Sequence, residues 1–131
     1  MIVIDASVLV NALADDTADG DRARARLLAD PDLHAPSLID VEVLSVLRRH
    51  LNAGTLDDRR ADLAINDLIA LPLIRYPHVA IARLIWAHRN NLTAYDATYV
   101  ALAELLDCPL VTTDRKLANA PGLTCPVEHL R

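Results

Sequence analysis

Short apolar runs alternate with helical patterns along the whole chain, and this alternation constrains the fold most. The strand-like runs are MIVID at residues 1–5, LHAPS at 33–37, PLIRYP at 72–77, PLVTTD at 109–114 and the tail LTCPVEHL at 123–130. Helical patterns occupy residues 7–14, 20–29, 37–54, 57–70, 78–90, 93–107 and 114–118. Strands that alternate with helices form a mostly parallel sheet covered by helices. We therefore predict a three-layer α/β/α fold in which residues 1–131 form one domain around four to five strands.

Four acidic residues stand at the ends of these elements, although they are far apart in the chain. Asp5 and Asp114 follow the apolar runs MIVI and PLVTT, whereas Glu42 and Asp96 lie early in two helical segments. Burying a carboxylate is costly unless something compensates its charge. Ligands of open parallel sheets bind at the carboxyl ends of the strands, where all four acids are expected. The sequence thus predicts one pocket in which these acids bind a divalent cation.

Carboxylate ligands indicate which cation and which chemistry to expect. Sites built only from oxygen ligands select hard ions, which favours Mg²⁺, with Mn²⁺ as the alternative. Such ions activate water and stabilise the charge that develops on a phosphoryl group. The four acids are therefore candidates both as metal ligands and as catalytic residues in the hydrolysis of phosphodiesters. Ser7, Thr112 and Thr113 are supporting candidates because their hydroxyl groups can hydrogen-bond a carboxylate or a phosphate.

Three of the acids also have structural interpretations, which the sequence leaves open. Asp5 fits a turn residue beside a helix N-terminus, although Ser7 is the better candidate for the N-cap itself. Thr93 and Asp96 have the spacing of a capping box. Asp114 fits a plain N-cap of the segment 114–118. Capping and metal binding are compatible, because a carboxylate has several lone pairs.

Glu42 is the most informative of the four acids. Its neighbours three and four residues away on the helix are Leu38, Ile39, Ser45 and Val46. Such neighbours place Glu42 on an inward or rim-facing stripe. Ser37 and Asp40 match a capping box with Asp in place of Glu, so we interpret Asp40 as structural.

The overall charge argues against binding of nucleic acid through a broad basic surface. The formal net charge is −5, and only 3% of residues are aromatic, with no Phe. Bulk electrostatic attraction and base stacking on aromatic platforms are therefore both weak. Local cationic groups remain as phosphate contacts. The candidates are Arg115 and Lys116, beside Asp114, and the clusters Arg22, Arg24, Arg26 and Arg48, Arg49.

Several other classes of protein are disfavoured. The three glycines form neither a phosphate-binding loop nor a dinucleotide fingerprint, and there is no G-x-S-x-G motif. The histidines lack paired metal-ligand spacing and are interpreted as surface or packing residues: His34, His50, His78, His88 and His129. Cys108 and Cys125 also lack such spacing. No signal peptide or membrane span is evident, so we expect a cytoplasmic protein without membrane association.

The apolar content suggests that part of the surface is covered by protein. Hydrophobic residues make up 53% of the chain, and mean hydropathy is +0.21. Such a surplus predicts a homodimer, another protein partner, or both. The segment 78–90 is apolar nearly all round, so it is predicted to lie in the core or in an interface.

Three segments together resemble a known family. MIVIDASVLV, PSLIDVEVLSVLRR and LTAYDATYVALAELLDCPLVTTDRKLA resemble a PIN domain and, more narrowly, the VapC ribonuclease toxins of VapBC toxin–antitoxin pairs. The resemblance extends over essentially the whole chain, and its most specific parts are DAS at 5–7, YDA around Asp96 and TTD at 112–114. It implies a parallel sheet flanked by helices and a Mg²⁺- or Mn²⁺-dependent endoribonuclease. Asp5, Glu42, Asp96 and Asp114 match the acidic positions of the family, of which the last is the most variable.

The resemblance also implies partners. VapC-type toxins form homodimers and are neutralised by a cognate VapB antitoxin, whose tail wraps the toxin and can place a basic side chain in the acidic pocket. The leading hypothesis is therefore a metal-dependent endoribonuclease toxin that cleaves RNA. The alternative is a non-catalytic binding module whose acidic pocket docks a basic partner peptide. A phosphoacceptor domain is a weaker third hypothesis, since Lys116 is the only lysine and the N-terminal acidic pair of that class is missing.

Overall fold

A computed structural model describes residues 1–131 and contains five strands and seven α-helices. The strands are β1 (Ile2–Ile4), β2 (Leu33–Pro36), β3 (Ile74–Tyr76), β4 (Leu110–Thr112) and β5 (Val127–His129). The helices are α1 (Ala6–Ala14), α2 (Ala18–Ala29), α3 (Leu38–Asn52), α4 (Asp58–Ala70), α5 (Ala82–Ala87), α6 (Ala94–Leu106) and α7 (Arg115–Ala118). A 3₁₀ turn at Val79–Ile81 precedes α5. The predicted α/β fold is confirmed, with each strand in a run that the sequence indicated.

The five strands form one parallel sheet in the order β3-β2-β1-β4-β5. Chain order reverses between β1 and β4, which are neighbours in the middle of the sheet. Val3 pairs with Leu110 there, and Ile4 pairs with Val111. A reversal of this kind leaves a crevice at the carboxyl ends of the two strands, where such folds bind ligands. The topology therefore fixes the position of a site beside Asp5 and Thr112.

Helices cover the two faces of the sheet in two groups. Helices α1 to α4 pack against one another, whereas α6 packs on β1, β2 and β4 and also contacts α5. Right-handed crossovers place the first group on one face and the return connection from β3 to β4 on the other. All three residues of β1 are buried, as is every residue of α6 from Ala97 to Ala103. Burial of both sheet faces explains why the central strands are continuous apolar runs.

The N-terminus of α3 is capped by a residue that the sequence did not indicate. The side chain of Ser37 makes no capping hydrogen bond, so the predicted capping box is wrong. The backbone N–H of Leu38 instead donates to Nε2 of His78, at 2.7 Å. Asp40 accepts two hydrogen bonds from the guanidinium of Arg75, at 2.7 and 2.9 Å. Asp40 is thus structural, as expected, but through an ion pair between α3 and β3.

The segment 78–90 does not lie in the core. No residue of α5 is buried, and Val79 and Trp86 are 89% and 67% exposed. Only Ile81 inserts into the core. The predicted location in the core is therefore wrong, whereas a location in an interface stays a prediction. None of the helices is both long and apolar enough to cross a membrane.

The unusual cap of α3 can be tested by mutation. We predict that His78→Ala lowers the free energy of unfolding by about 1 kcal/mol, because an N–H at the helix N-terminus loses its partner. Ser37→Ala is the matched control and is expected to change stability by less than about 0.5 kcal/mol. Urea unfolding followed by circular dichroism measures both. A larger loss for the Ser37 variant would contradict this assignment of the cap.

Candidate active site

All four predicted acids line a single pocket at the carboxyl edge of the sheet. The cavity has a volume of about 310 Å³ and contains Asp5, Glu42, Asp96 and Asp114. Asp5 directly follows β1, and Asp114 lies two residues beyond β4. Glu42 comes from the second turn of α3, and Asp96 from the first turn of α6. The convergence predicted from the sequence is therefore present.

Asp5 is the most buried of these acids, with 6% of its surface exposed. Its Oδ1 accepts hydrogen bonds from the Ser7 hydroxyl at 2.5 Å and from the Val8 N–H at 3.2 Å. Its Oδ2 accepts a hydrogen bond from the hydroxyl of Thr112, which is fully buried. Asp5 is thus the N-cap of α1, a role expected of Ser7. Burial raises the pKa of Asp5 above its ordinary value, and these hydrogen bonds only partly offset the effect.

The negative charges of Asp96 and Asp114 repel each other. The pKa of Asp96 is raised, first by burial and then by the negative charge of Asp114, whereas a hydrogen bond with Thr93 lowers it. The Thr93 hydroxyl accepts a hydrogen bond from the Asp96 N–H at 3.2 Å, so Thr93 is the N-cap of α6, as predicted. Asp114 is exposed and caps α7, accepting from the N–H groups of Lys116 and Leu117. Both acids combine a structural role with a position in the pocket.

Glu42 is held by a tyrosine from the opposite helix layer. The hydroxyl of Tyr99 donates to Oε1 of Glu42 at 2.7 Å. Tyr99 follows Asp96 by one turn of α6, and both line the pocket. The prediction that Glu42 lies on a rim-facing stripe of α3 is confirmed.

The supporting hydroxyls form a short network behind the acids. Thr112 Oγ1 accepts from the Asp114 N–H at 2.9 Å while it donates to Asp5. Ser7 Oγ accepts from the Thr113 N–H at 3.2 Å. The side chain of Thr113 faces an adjoining cleft and does not line the acidic pocket. Ser7 and Thr112 therefore fix the acids, whereas Thr113 contributes its backbone.

The two predicted phosphate contacts lie on different sides of the pocket. Arg115 lines a cleft together with Thr113, His129 and Arg131. Lys116 lines a separate crevice, which Asp96 joins to the acidic pocket. Neither cation lines the acidic pocket itself.

Three polar residues that the sequence did not indicate line the pocket: Asn11, His50 and Tyr99. Arg49, from the predicted cluster Arg48, Arg49, lines it as well. Arg49 is exposed and forms no ion pair, although it shares the cavity with four acids. Asn11 also lines two neighbouring clefts, so three cavities meet at its side chain. Asn11 follows Ser7 by one helical turn, and this spacing is the sequence signal that could have identified it.

The donor chemistry of the pocket fits a hard divalent cation. No three Asp, Glu, His or Cys side chains are arranged to share a metal ion. Mg²⁺, however, usually keeps several waters and takes only one or two carboxylates together with substrate phosphates. The pocket supplies oxygen donors, and the negative charge of Asp114 contributes to the raised pKa of Asp96. A cation held by fewer than three of these acids is consistent with this arrangement.

The protein is an α/β protein with a parallel sheet, and its acidic pocket lies where the strand order reverses between β1 and β4. Comparison with known proteins identifies its family. The PIN domain model matches residues 2–123. The VapC ribonuclease Mb0985 of Mycobacterium bovis is 44% identical over 130 residues, which is 97% of this chain and 96% of that protein. The chain belongs to the PIN domain family and, within it, to the VapC ribonucleases.

Two solved structures share the fold. The crystal structure of Mycobacterium tuberculosis VapC20, described as a sarcin-ricin loop cleaving toxin, has a TM-score of 0.69 at 17% identity. That match covers 89% of this chain and 92% of VapC20. VapBC2 from Rickettsia felis, bound to a DNA fragment from its promoter, has a TM-score of 0.68 at 13% identity, with 100% of both chains covered.

The raised pKa values make a prediction about stability. The folded protein holds a proton on Asp5 and Asp96 more tightly than the unfolded chain does, so ionisation of these groups destabilises the fold as pH rises. Asp96→Asn should therefore increase the free energy of unfolding at pH 7. Asp5→Asn is a poorer test, because both oxygens of Asp5 accept hydrogen bonds and an amide NH₂ group cannot accept the one from Thr112.

The gain should shrink as pH falls toward about 4, where the wild-type carboxyl groups take up protons themselves. Urea unfolding at pH 7 and pH 4 measures the effect. Asp62→Asn, on the exposed side of α4, is the control and should leave stability unchanged. A loss of stability at pH 7 in Asp96→Asn would contradict the assigned cause of the raised pKa of Asp96.

Proposed function

We propose that this protein is the toxin of a toxin–antitoxin pair and acts as an endoribonuclease that hydrolyses RNA phosphodiester bonds. The observation that carries the proposal is the convergence of Asp5, Glu42, Asp96 and Asp114 in one pocket of a chain that belongs to the VapC ribonucleases. We assign these four residues as the catalytic acids. The whole of residues 1–131 acts as one domain, and its two cysteines are free, as suits the cytoplasm.

The proposed cofactor is Mg²⁺, with Mn²⁺ as an alternative. The candidate ligands are the four carboxylates of the cavity, Asp5, Glu42, Asp96 and Asp114. One or two of them would bind the ion directly, and the others would contact it through its waters. When bound, a divalent ion supplies Lewis-acid stabilisation of the phosphoryl group and lowers the pKa of a bound water. Repulsion between Asp96 and Asp114, which raises the pKa of Asp96, is relieved by a cation. The charge pattern of the pocket thus supports cation binding.

The protein's own residues hold the acids in place. Ser7, Val8 and Thr112 fix both oxygens of Asp5, so this carboxylate has one orientation at the floor of the pocket. Asp114 is fixed by its role as the cap of α7. Preorganised charges of this kind need no rearrangement during the reaction, which is the main source of their catalytic effect.

We propose that RNA lies across the pocket and contacts positively charged side chains on several sides of the pocket. Arg49 is inside the pocket without an ion pair, Arg115 lies in the cleft with His129 and Arg131, and Lys116 lies in the crevice beside Asp96. These groups contact phosphates and do not read bases. Because the net charge of the chain is −5, binding depends on these few local contacts.

Two exposed apolar surfaces support the proposed partners. Val41 and Leu44 lie on the outer face of α3, next to the helix wall that carries Glu42, and suit a VapB-type antitoxin that places a basic side chain in the pocket. Val79 in the 3₁₀ turn and Leu84 and Trp86 on α5 are also exposed and suit a homodimer interface. Exposed apolar residues grouped in this way mark surfaces that bind protein.

Loss of one acid tests the proposed activity. We expect Asp5→Asn and Asp96→Asn to lower RNA cleavage at least about a hundredfold, because each removes a carboxylate that would help to hold the divalent cation in the pocket. Asp62→Asn should cleave like wild type. EDTA should stop the wild-type reaction, and added Mn²⁺ should restore it. The readout is cleavage of a mixture of purified RNAs by antitoxin-free protein.

Full activity in Asp5→Asn or in Asp96→Asn would contradict the assignment of the catalytic acids. No cleavage of any RNA by the wild-type protein, combined with tight binding of an arginine-rich peptide, would favour the non-catalytic binding module. Wild-type levels of cleavage in EDTA would remove the proposed role of the cation.

Arg49 provides a second test through the RNA contact. We expect Arg49→Ala to raise KM roughly tenfold, the effect of losing one charge-assisted hydrogen bond to a phosphate. The salt dependence of RNA binding should fall by about 0.7 in log–log slope, as for one phosphate contact to a single strand. Arg48→Ala is the matched control, since Arg48 neighbours Arg49 on α3 but does not line the pocket. Equal effects of the two substitutions would contradict a specific role for Arg49.

A further inference from the structure

Tyr99 is buried at the back of the acidic pocket, and its hydroxyl reaches one of the four acids. Only 2% of its surface is exposed. Its Oη lies 2.7 Å from Oε1 of Glu42, which is half-buried. A buried tyrosine hydroxyl usually needs a hydrogen-bond partner. The partner here is a pocket carboxylate.

The hydrogen bond has a defined direction. Ionised Glu42 can only accept, so Tyr99 is the donor. Burial raises the pKa of Tyr99 far above its ordinary value, and the hydrogen bond to Glu42 and the charges of Asp5 and Asp96 raise it further. The hydroxyl therefore keeps its proton and donates to Glu42 at neutral pH.

The bond also joins parts of the fold that scarcely meet elsewhere. Glu42 belongs to α3 in one helix layer, and Tyr99 belongs to α6 in the other. The two helix backbones approach each other at few points. The hydrogen bond therefore crosses the carboxyl edge of the sheet. A free glutamate side chain samples many rotamers, and one fixed hydrogen bond reduces that freedom.

We propose that Tyr99 is a positioning residue, whose hydroxyl holds the Glu42 carboxylate toward Asp5 and Asp96 and so prepares it to bind a divalent cation. This inference rests on the function proposed above. One oxygen of Glu42 is oriented by Tyr99, which leaves the second oxygen, Oε2, free for a cation or its waters. Hydrogen bonds to ligands commonly change metal affinity by about 10- to 100-fold.

The test is Mn²⁺ binding to purified protein, measured by isothermal titration calorimetry without RNA. We expect Tyr99→Phe to weaken Mn²⁺ binding roughly tenfold. The Mn²⁺ concentration for half-maximal RNA cleavage should rise by a similar factor, with kcat recovered at saturating Mn²⁺. Tyr76→Phe is the matched control, because Tyr76 bonds to His34 away from the pocket. It should bind Mn²⁺ like wild type.

A second measurement does not require the Tyr99 variant to fold. In the double variant Tyr76→Phe/Tyr95→Phe, Tyr99 is the only tyrosine left of three. We expect Mn²⁺ to perturb the ultraviolet absorption of this tyrosine, because the cation withdraws charge from the Glu42 carboxylate that accepts its hydrogen bond. The perturbation should saturate at the same Mn²⁺ concentration as the heat of binding.

The outcomes separate this inference from the proposed function. Wild-type binding of Mn²⁺ together with unchanged affinity in folded Tyr99→Phe overturns the positioning role alone. A double variant that binds Mn²⁺ without any tyrosine signal overturns it as well. Wild-type protein that neither binds Mn²⁺ nor cleaves RNA overturns the proposed function and this inference together.

Discussion

The burial of one carboxylate at the centre of the sheet is the constraint on which the rest of the site depends. Asp5 directly follows β1, and burying its charge there would be costly without hydrogen-bond donors from both neighbouring elements. Ser7 and Val8 supply donors from α1, and Thr112 supplies one from β4. Thr112 in turn accepts the N–H of Asp114. The hydrogen bonds that satisfy Asp5 thus also hold the backbone of Asp114 in place. The same contacts therefore stabilise the fold and set the geometry of the pocket.

Two of the other acids come from the two helix layers. Glu42 comes from one layer and Asp96 from the other, and Tyr99 joins them. Most of the carboxylates in the pocket also cap a helix or accept a structural hydrogen bond. This double use explains how a small domain keeps four acids close together, because backbone N–H groups and hydroxyls compensate part of the charge. A bound cation is proposed to neutralise the rest of this negative charge.

The sequence predicted the fold and the four acids well because both depend on local patterns. Apolar runs and helical spacing located all five strands, and each acid follows such a run or opens a helix. The errors were long-range. His78 caps α3 from a loop 40 residues away, and Tyr99 bonds Glu42 across 57 residues. The exposure of α5 was missed for a related reason, because a segment that is apolar all round fits a core and an interface equally well.

The order of the strands has a consequence for the synthesis of the protein. β4 is the fourth strand to be made, yet it lies beside β1, the first. Until β4 leaves the ribosome, the sheet lacks a central member, and Asp5 lacks Thr112 and the nearby Asp114. A nascent chain therefore cannot complete the pocket. The four acids come together only once nearly all of the 131 residues have been translated.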